Sequence, residues 1–370
     1  MRDRFARLAA NVFAVPFGVV GLARLWREAA QTGLAPEGPA LGLHVLAAVL
    51  WVGIAAVWLV RAAADPARAG RELADPVADP FLVLAPLTAT LLGAELSRHA
   101  PGPGVALTLV GAALVVLHGA MFLGHWLVTP LPAVVHGGHL LPTVAGGLVC
   151  AAATAEIGHR SLAGALFGLG VVGWLTVGTV VLARLAGGPV LPAPVRPTLA
   201  IMMAPPVVAG GAWSEIGRLD DMVGLGLAGA SVLIVLAQVR LLPVYRALSF
   251  SAGFWSFTFS SAAAASFGLR WLAQAAPPGH RELGQLLVAA VTVLIGAIAV
   301  RSVRALRDGT YLPTAPAGVP LSVPPADPPA VPVSAPVPAP VPTTVPADGA
   351  AGSSAGVPRA AVRGDDGSGA

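Results

Sequence analysis

The sequence predicts an all-α integral membrane protein of ten transmembrane helices, arranged as five helical hairpins in pseudo-five-fold order around a central pore. Three observations predict it. The chain is 56% hydrophobic and only 11% charged, against about 25% charged residues in a soluble domain. Its apolar residues gather into runs of membrane-spanning length. Proline alternates between these runs: present in the interior of every odd one up to the seventh, absent from the interior of every even one.

The runs fall near 10–29, 40–61, 80–97, 103–128, 138–155, 162–185, 197–214, 222–242, 252–274 and 283–302. The basic, then apolar N-terminus has no convincing small-x-small cleavage site, so it reads as a retained first span. Connections are short. The longest, "RAAADPARAGRELADPVAD", is charged enough to hold a short surface helix. Pro16, Pro86, Pro142 and the pair Pro205–Pro206 lie in spans one, three, five and seven, at intervals of 70, 56 and 63 residues. That is the period of a helical hairpin. An interior proline frees a carbonyl and kinks a helix. In hydrocarbon such backbone is tolerated only inside protein or beside a water-filled cavity. The odd spans are therefore expected inside, lining a channel, and straighter even spans outside. The domain of spans is placed at residues 1–309. Residues 310–370, with proline every few positions, read as a disordered cytoplasmic tail.

There is no lysine; all 22 basic residues are arginine, which reads as genome base composition. The arginines sit at segment ends, so the basic balance does not indicate nucleic-acid binding. With the N-terminus inside, thirteen arginines flank the spans on the inner face and seven on the outer. This positive-inside bias places both termini in the cytoplasm, in a multi-pass protein of the plasma membrane. Cys150, the single cysteine, lies in an apolar run and reads as a small buried hydrophobe.

The ninth span, "GFWSFTFSSAAAAS", carries four aromatic residues in six positions. On a helix Ala252, Ser256, Phe259, Ala263 and Ser266 share one stripe, with Phe254 and Phe257 opposite. One large ring then stands alone on a small-residue face. The middles of the odd spans hold no formal charge, only hydroxyls such as Thr88, Thr90, Thr143, Thr258, Ser260 and Ser261. Those suit weak anion binding. Intramembrane carboxylates of the kind a proton-coupled carrier uses are missing from the span centres: Arg24 and Glu28 are spaced to pair near the end of span one, and Glu95 and Glu156 also lie at ends. His118 and His125, seven apart on span four, with His44, His136 and His139, raise the remote alternative of a b-type cytochrome. No metal motif, nucleotide loop or Ser/His/Asp set appears, so neither metal, cofactor nor enzymatic activity is expected.

The local segments "PFGVVGLARLWREA", "ADPVADPF", "HLLPTVAGGLVCAAA", "RLAGGPVLPAPVRPTLAIMMAPPVVAG" and "FWSFTFSSAA" occur in order over residues 10–305. Together they resemble the tellurite-resistance/dicarboxylate transporter family, which includes bacterial TehA and the plant slow anion channels. The resemblance implies a homotrimer with one pore per protomer and a ninth-segment phenylalanine, here Phe259, plugging the pore. It implies passage of small inorganic anions or small organic acids. Its alternative is a carrier or exporter of sulfite, tellurite or malate-type dicarboxylates on the same fold. Many relatives carry proline at the next position, where this chain has Ser260, so a less kinked ninth helix is expected.

Overall fold

The computed structural model describes residues 10–132 and 134–311. These residues are helical, with no strand among them. The α-helices are α1 (Ala14–Gln31), α2 (Gly38–Ala64), α3 (Pro66–Ala74), α4 (Asp79–Leu82), α5 (Leu84–Leu96), α6 (Pro101–Val128) and α7 (Gly146–Glu156). They continue with α8 (Arg160–Gly173), α9 (Thr179–Gly187), α10 (Ala204–Ile216), α11 (Met222–Arg240), α12 (Leu242–Arg246), α13 (Ser256–Ala275) and α14 (His280–Arg307). The proline-rich stretch from residue 312 lies outside the described residues, as do Arg2, Arg4 and Arg7.

Eight helical stretches among the described residues are long and apolar enough to cross a membrane, so the chain is a multi-pass membrane protein. Burial alternates along them. Asp79–Leu96, Gly137–Glu156 and Ala193–Ile216 have 72, 89 and 61% of their most apolar stretch buried. The intervening Gly38–Ala64, Pro101–Val128, Arg160–Gly187, Met222–Arg240 and His280–Arg307 have 11 to 33%. The second group is apolar all round, as a lipid-facing helix must be. Two further helices, α1 and α13, are of comparable length but carry Arg24, Arg27, Glu28 and Arg270. The inner helices α1, α5, α7, α10 and α13 touch in a closed circuit, α1 meeting both α5 and α13. Each also packs against the helix that follows it: α2, α6, α8, α11 and α14.

Pro86, Pro142, Pro205 and Pro206 lie inside membrane-length stretches, as expected, at or just before the start of a regular helix. Pro16 is the third residue of α1, Pro86 the third of α5, and Pro205 and Pro206 the second and third of α10. Pro142 lies in a π-helical turn, Leu141–Ala145, just before α7. In the first turn of a helix the missing N–H has no partner to lose, and the fixed φ suits the helix. The irregularity lies upstream instead, in 3₁₀ turns at Ala10–Phe13, Gly137–Leu140, Ala193–Met203 and Ala252–Trp255 and a break at Val83. Outer helices donate to backbone at these helix starts: Trp51 of α2 to the Ala85 carbonyl in the first turn of α5 at 2.8 Å, and Gln238 of α11 to that of Leu199 in the 3₁₀ turn at 3.1 Å. The ninth segment has the same lead-in without proline, and α13 runs unbroken through Ser260. The outer layer is not uniformly straight either, since Trp174–Gly178 forms a π turn between α8 and α9.

The charged connection after α2 forms α3, whose first turn is capped by Asp65 accepting from the Arg68 N–H at 2.9 Å. Glycine sets the closest helix contacts. A Cβ on Gly147 would lie 2.5 Å from the Gly170 nitrogen, and one on Gly170 would lie 2.8 Å from the Leu148 nitrogen. α7 and α8 therefore meet backbone to backbone. We predict that Gly147→Val lowers the melting temperature of the detergent-purified protein, by the equivalent of about 1–3 kcal/mol of overpacking. Gly168→Val, where nothing stands within 4 Å of the added Cβ, should leave it unchanged.

Candidate functional site

The inner helices enclose a cavity of about 290 Å³ that opens towards their C-terminal ends. Its innermost layer takes one residue from each: Gly21, Leu91, Val149, Val207 and Phe259. No residue earlier in these helices lines it. Along α13 the lining residues are Phe259, Ala263, Ser266, Phe267 and Arg270, which extends the small-residue stripe by one more turn to Arg270.

Phe259 is held by α1. Its ring stacks on Phe17 with centroids 4.0 Å apart and planes 19° from parallel. A Cβ on Gly21 would come within 2.9 Å of the Phe259 ring and 3.3 Å of its Cα, so the missing side chain makes the space the ring occupies. Phe257 and Phe254 turn away. Phe257 meets Tyr245 edge-on at 4.7 Å, and Phe254 packs on Phe250, over which Arg301 lies. Trp255, in the turn before α13, donates to Ser302 of α14 at 3.0 Å.

Of the residues expected to line a conduit, Phe259, Ala263 and Ser266 line this cavity; Ser256, Pro16, Pro86, Pro142, Pro205 and Pro206 are not among its lining residues. The hydroxyls differ from expectation as well. Thr88 and Thr90 donate to the Leu84 and Pro86 carbonyls, and Thr258 donates to the Trp255 carbonyl. A helix hydroxyl satisfies itself on the preceding turn, so these donors are already engaged, and Ser266 is the hydroxyl in the lining.

Charge gathers where the sequence left it scattered. The cavity rim carries Arg24, Arg27, Arg98 and Arg270 with Glu28, Glu95, Glu156 and Glu215, four of each sign. Arg24 does not pair with Glu28. It forms a bidentate ion pair with Glu156 of α7, one contact at 3.1 Å, while Arg27 pairs with Glu95 of α5. Arg270 of α13 donates through Nε to Glu28 at 2.8 Å and through Nη1 to Glu215 and Ser214 of α10. All five inner helices are thus tied at one end by ion pairs. His44 and His99 flank Glu95 at 3.9 and 3.6 Å.

The remaining histidines do not form a haem site. His118 faces Asp79 at 3.6 Å, and His125 seven residues on is exposed. His136 and His139 pack edge to face with centroids 4.5 Å apart, which leaves no room for a porphyrin between them. Burial pushes the His136 imidazole down to about 3, so it stays neutral in the physiological range. Among the described residues no three His, Cys, Asp or Glu side chains cluster to hold a metal ion.

Apolar helices around a cavity that is dry-walled at depth and ion-paired at its rim define a polytopic membrane transport protein. A family profile described as voltage-dependent anion channel, SLAC1, matches residues 7–303, and the chain belongs to that family. It is similar to the tellurite resistance protein TehA homolog of Haemophilus influenzae, 25% identical over 70% of this chain and 80% of that protein. It is also similar to the S-type anion channels SLAH1 and SLAH4 of Arabidopsis thaliana, 28 and 30% identical. Those two matches cover 41 and 32% of this chain, and 40 and 33% of the plant proteins.

Glu95 and Arg27 are the most enclosed of the rim pairs, with side chains 10 and 13% exposed. Glu95→Leu should cost about 3 kcal/mol, because it strands a buried guanidinium. The fall in melting temperature should be larger than for Glu156→Leu, whose pair is 24–27% exposed.

Proposed function

We propose that the protein is a channel for small anions, built from ten transmembrane helices as five hairpins around a central pore and gated at Phe259. The reading includes assembly as a homotrimer with one pore per protomer, residence in the plasma membrane with both termini cytoplasmic, and no enzymatic role. One observation carries it: the cavity follows a single stripe of α13 and stops at the layer holding the Phe259 ring. A ring stacked on Phe17 and seated against Gly21 is an apolar constriction, and such constrictions gate by excluding water until the ring moves aside. The family supports anion passage.

A second reading is a carrier of sulfite, tellurite or malate-type dicarboxylates. It draws on the tellurite-resistance relative and on the carboxylates at the rim. Uptake driven by a pH gradient alone separates the two, since a channel follows voltage.

Phe259→Ala is expected to raise nitrate or chloride current several-fold in planar bilayers. Unchanged current from well-folded protein would remove Phe259 from the gate. Gly21→Val should also raise current, because the added side chain collides with the ring. Its effect should be smaller in a Phe259→Ala background, where the ring is gone and only the contacts with the residue-259 Cα and Ala262 Cβ remain.

A further inference from the structure

Arg270 stands on the Phe259 stripe, eleven residues further along α13, about 16 Å at 1.5 Å per residue. It lines the same cavity. Its guanidinium serves two carboxylates. Glu28 takes the Nε–Nη2 edge at 2.8 Å, and Glu215, with the Ser214 hydroxyl, takes Nη1. The other rim pairs are one to one: Arg24 with Glu156 and Arg27 with Glu95. The cluster at Arg270 therefore holds one carboxylate more than its own cation neutralises. Glu28 is the enclosed partner and Glu215 the more open one, with side chains 11 and 28% exposed.

We propose that Nη1 of Arg270 is a binding point for a small monovalent anion such as nitrate or chloride, which takes the place of the Glu215 carboxylate. Glu215 takes up one proton from solvent as it is displaced. The inference rests on the anion-channel reading and names the site at which its ligand is held. The electrostatics give the direction. An anion arriving at Nη1 would add a third negative charge, so it binds best when Glu215 is neutral. Anion binding and proton binding then assist each other by the same factor. The Glu28–Arg270 contact persists throughout and keeps α1 joined to α13. The charged and titratable groups around this cluster are Arg24 on α1, Glu156 on α7 and, across the rim, Arg27, Glu95, His44, His99 and Arg98. Arg24 and Arg27 are engaged with Glu156 and Glu95. His44 and His99 are the competing proton acceptors that the test must separate.

The test is nitrate binding to the full-length protein in detergent, read as the rise in melting temperature when nitrate replaces gluconate at constant ionic strength. It is measured across about pH 5 to 8. In the wild type the apparent dissociation constant should rise with pH, by at most about tenfold per unit for one linked proton. Glu215→Gln keeps the Glu28–Arg270 pair, and should bind nitrate with little pH dependence, at the tight affinity the wild type reaches in acid. His99→Gln and His44→Gln should retain the wild-type slope. The proposal is overturned if nitrate does not stabilise the wild type at any pH, if Glu215→Gln keeps the slope, or if the slope disappears with either histidine. Nitrate flux into liposomes, measured on the same preparations, distinguishes this failure from failure of the channel reading. Flux without proton-linked binding removes the site at Arg270 and leaves the channel. Proton-linked binding without flux does the reverse.

Discussion

The interactions on which the rest depends are the ion pairs that join the C-terminal ends of the inner helices. Arg24, Arg27 and Arg270 reach Glu156, Glu95, Glu28 and Glu215, so each inner helix is held to another at a point far away in sequence. Hydrocarbon offers no solvation to such groups, and leaving one unmatched is costly. The charges can be satisfied only if the five ends converge, and convergence encloses the cavity. Below the rim the walls are Leu, Val, Ala and Gly with Phe259, Phe267 and a single hydroxyl, Ser266, and such walls allow the helices to close together. A wet rim above a dry throat follows from where the charges sit on the helices.

The same logic explains the division between layers. The outer helices make no ionic contribution to the belt beyond His44. They bring apolar surface, and at a few positions a donor aimed inward: Trp51 to Ala85, Gln238 to Leu199. These reach carbonyls in the first turn of α5 and in the 3₁₀ turn before α10, in a medium without water to supply donors. Tyr311 completes the arrangement at the far end. It is buried and its N–H bonds back to Ala305, so the helical body reaches at least that residue.

Much of this was legible in the sequence because it depends on local periodicity. Apolar runs gave the helices, and the stripe of Ser256, Phe259, Ala263 and Ser266 separated Phe259 from Phe254 and Phe257 on one helix. What stayed hidden depends on contacts between distant residues. Arg24 and Glu28 have the spacing of a local helix pair, yet their partners lie 132 and 242 residues away, because both side chains point across the cavity. A span of 20 apolar residues does not reveal where its regular helix starts, so the sequence alone does not separate a proline in a first turn from one that kinks a helix interior. Thr88, Thr90 and Thr258 look like free donors in composition, where their bonds to the preceding turn are invisible. Arg270 was within reach: four residues beyond Ser266, it continues the stripe already drawn.

Because the chain contains no lysine, the four cations around the cavity are all guanidinium groups, which keep their charge at any pH a cell meets. An enclosed ammonium can shed its proton and fall silent. Here the positive half of the rim is fixed in valence, and only the carboxylates and two imidazoles can change. Neither acid nor alkali in that range removes a cation from this mouth. A protein that used lysine would have cations able to lose their charge on enclosure, whereas the attraction of this rim for anions rests on cations that do not titrate.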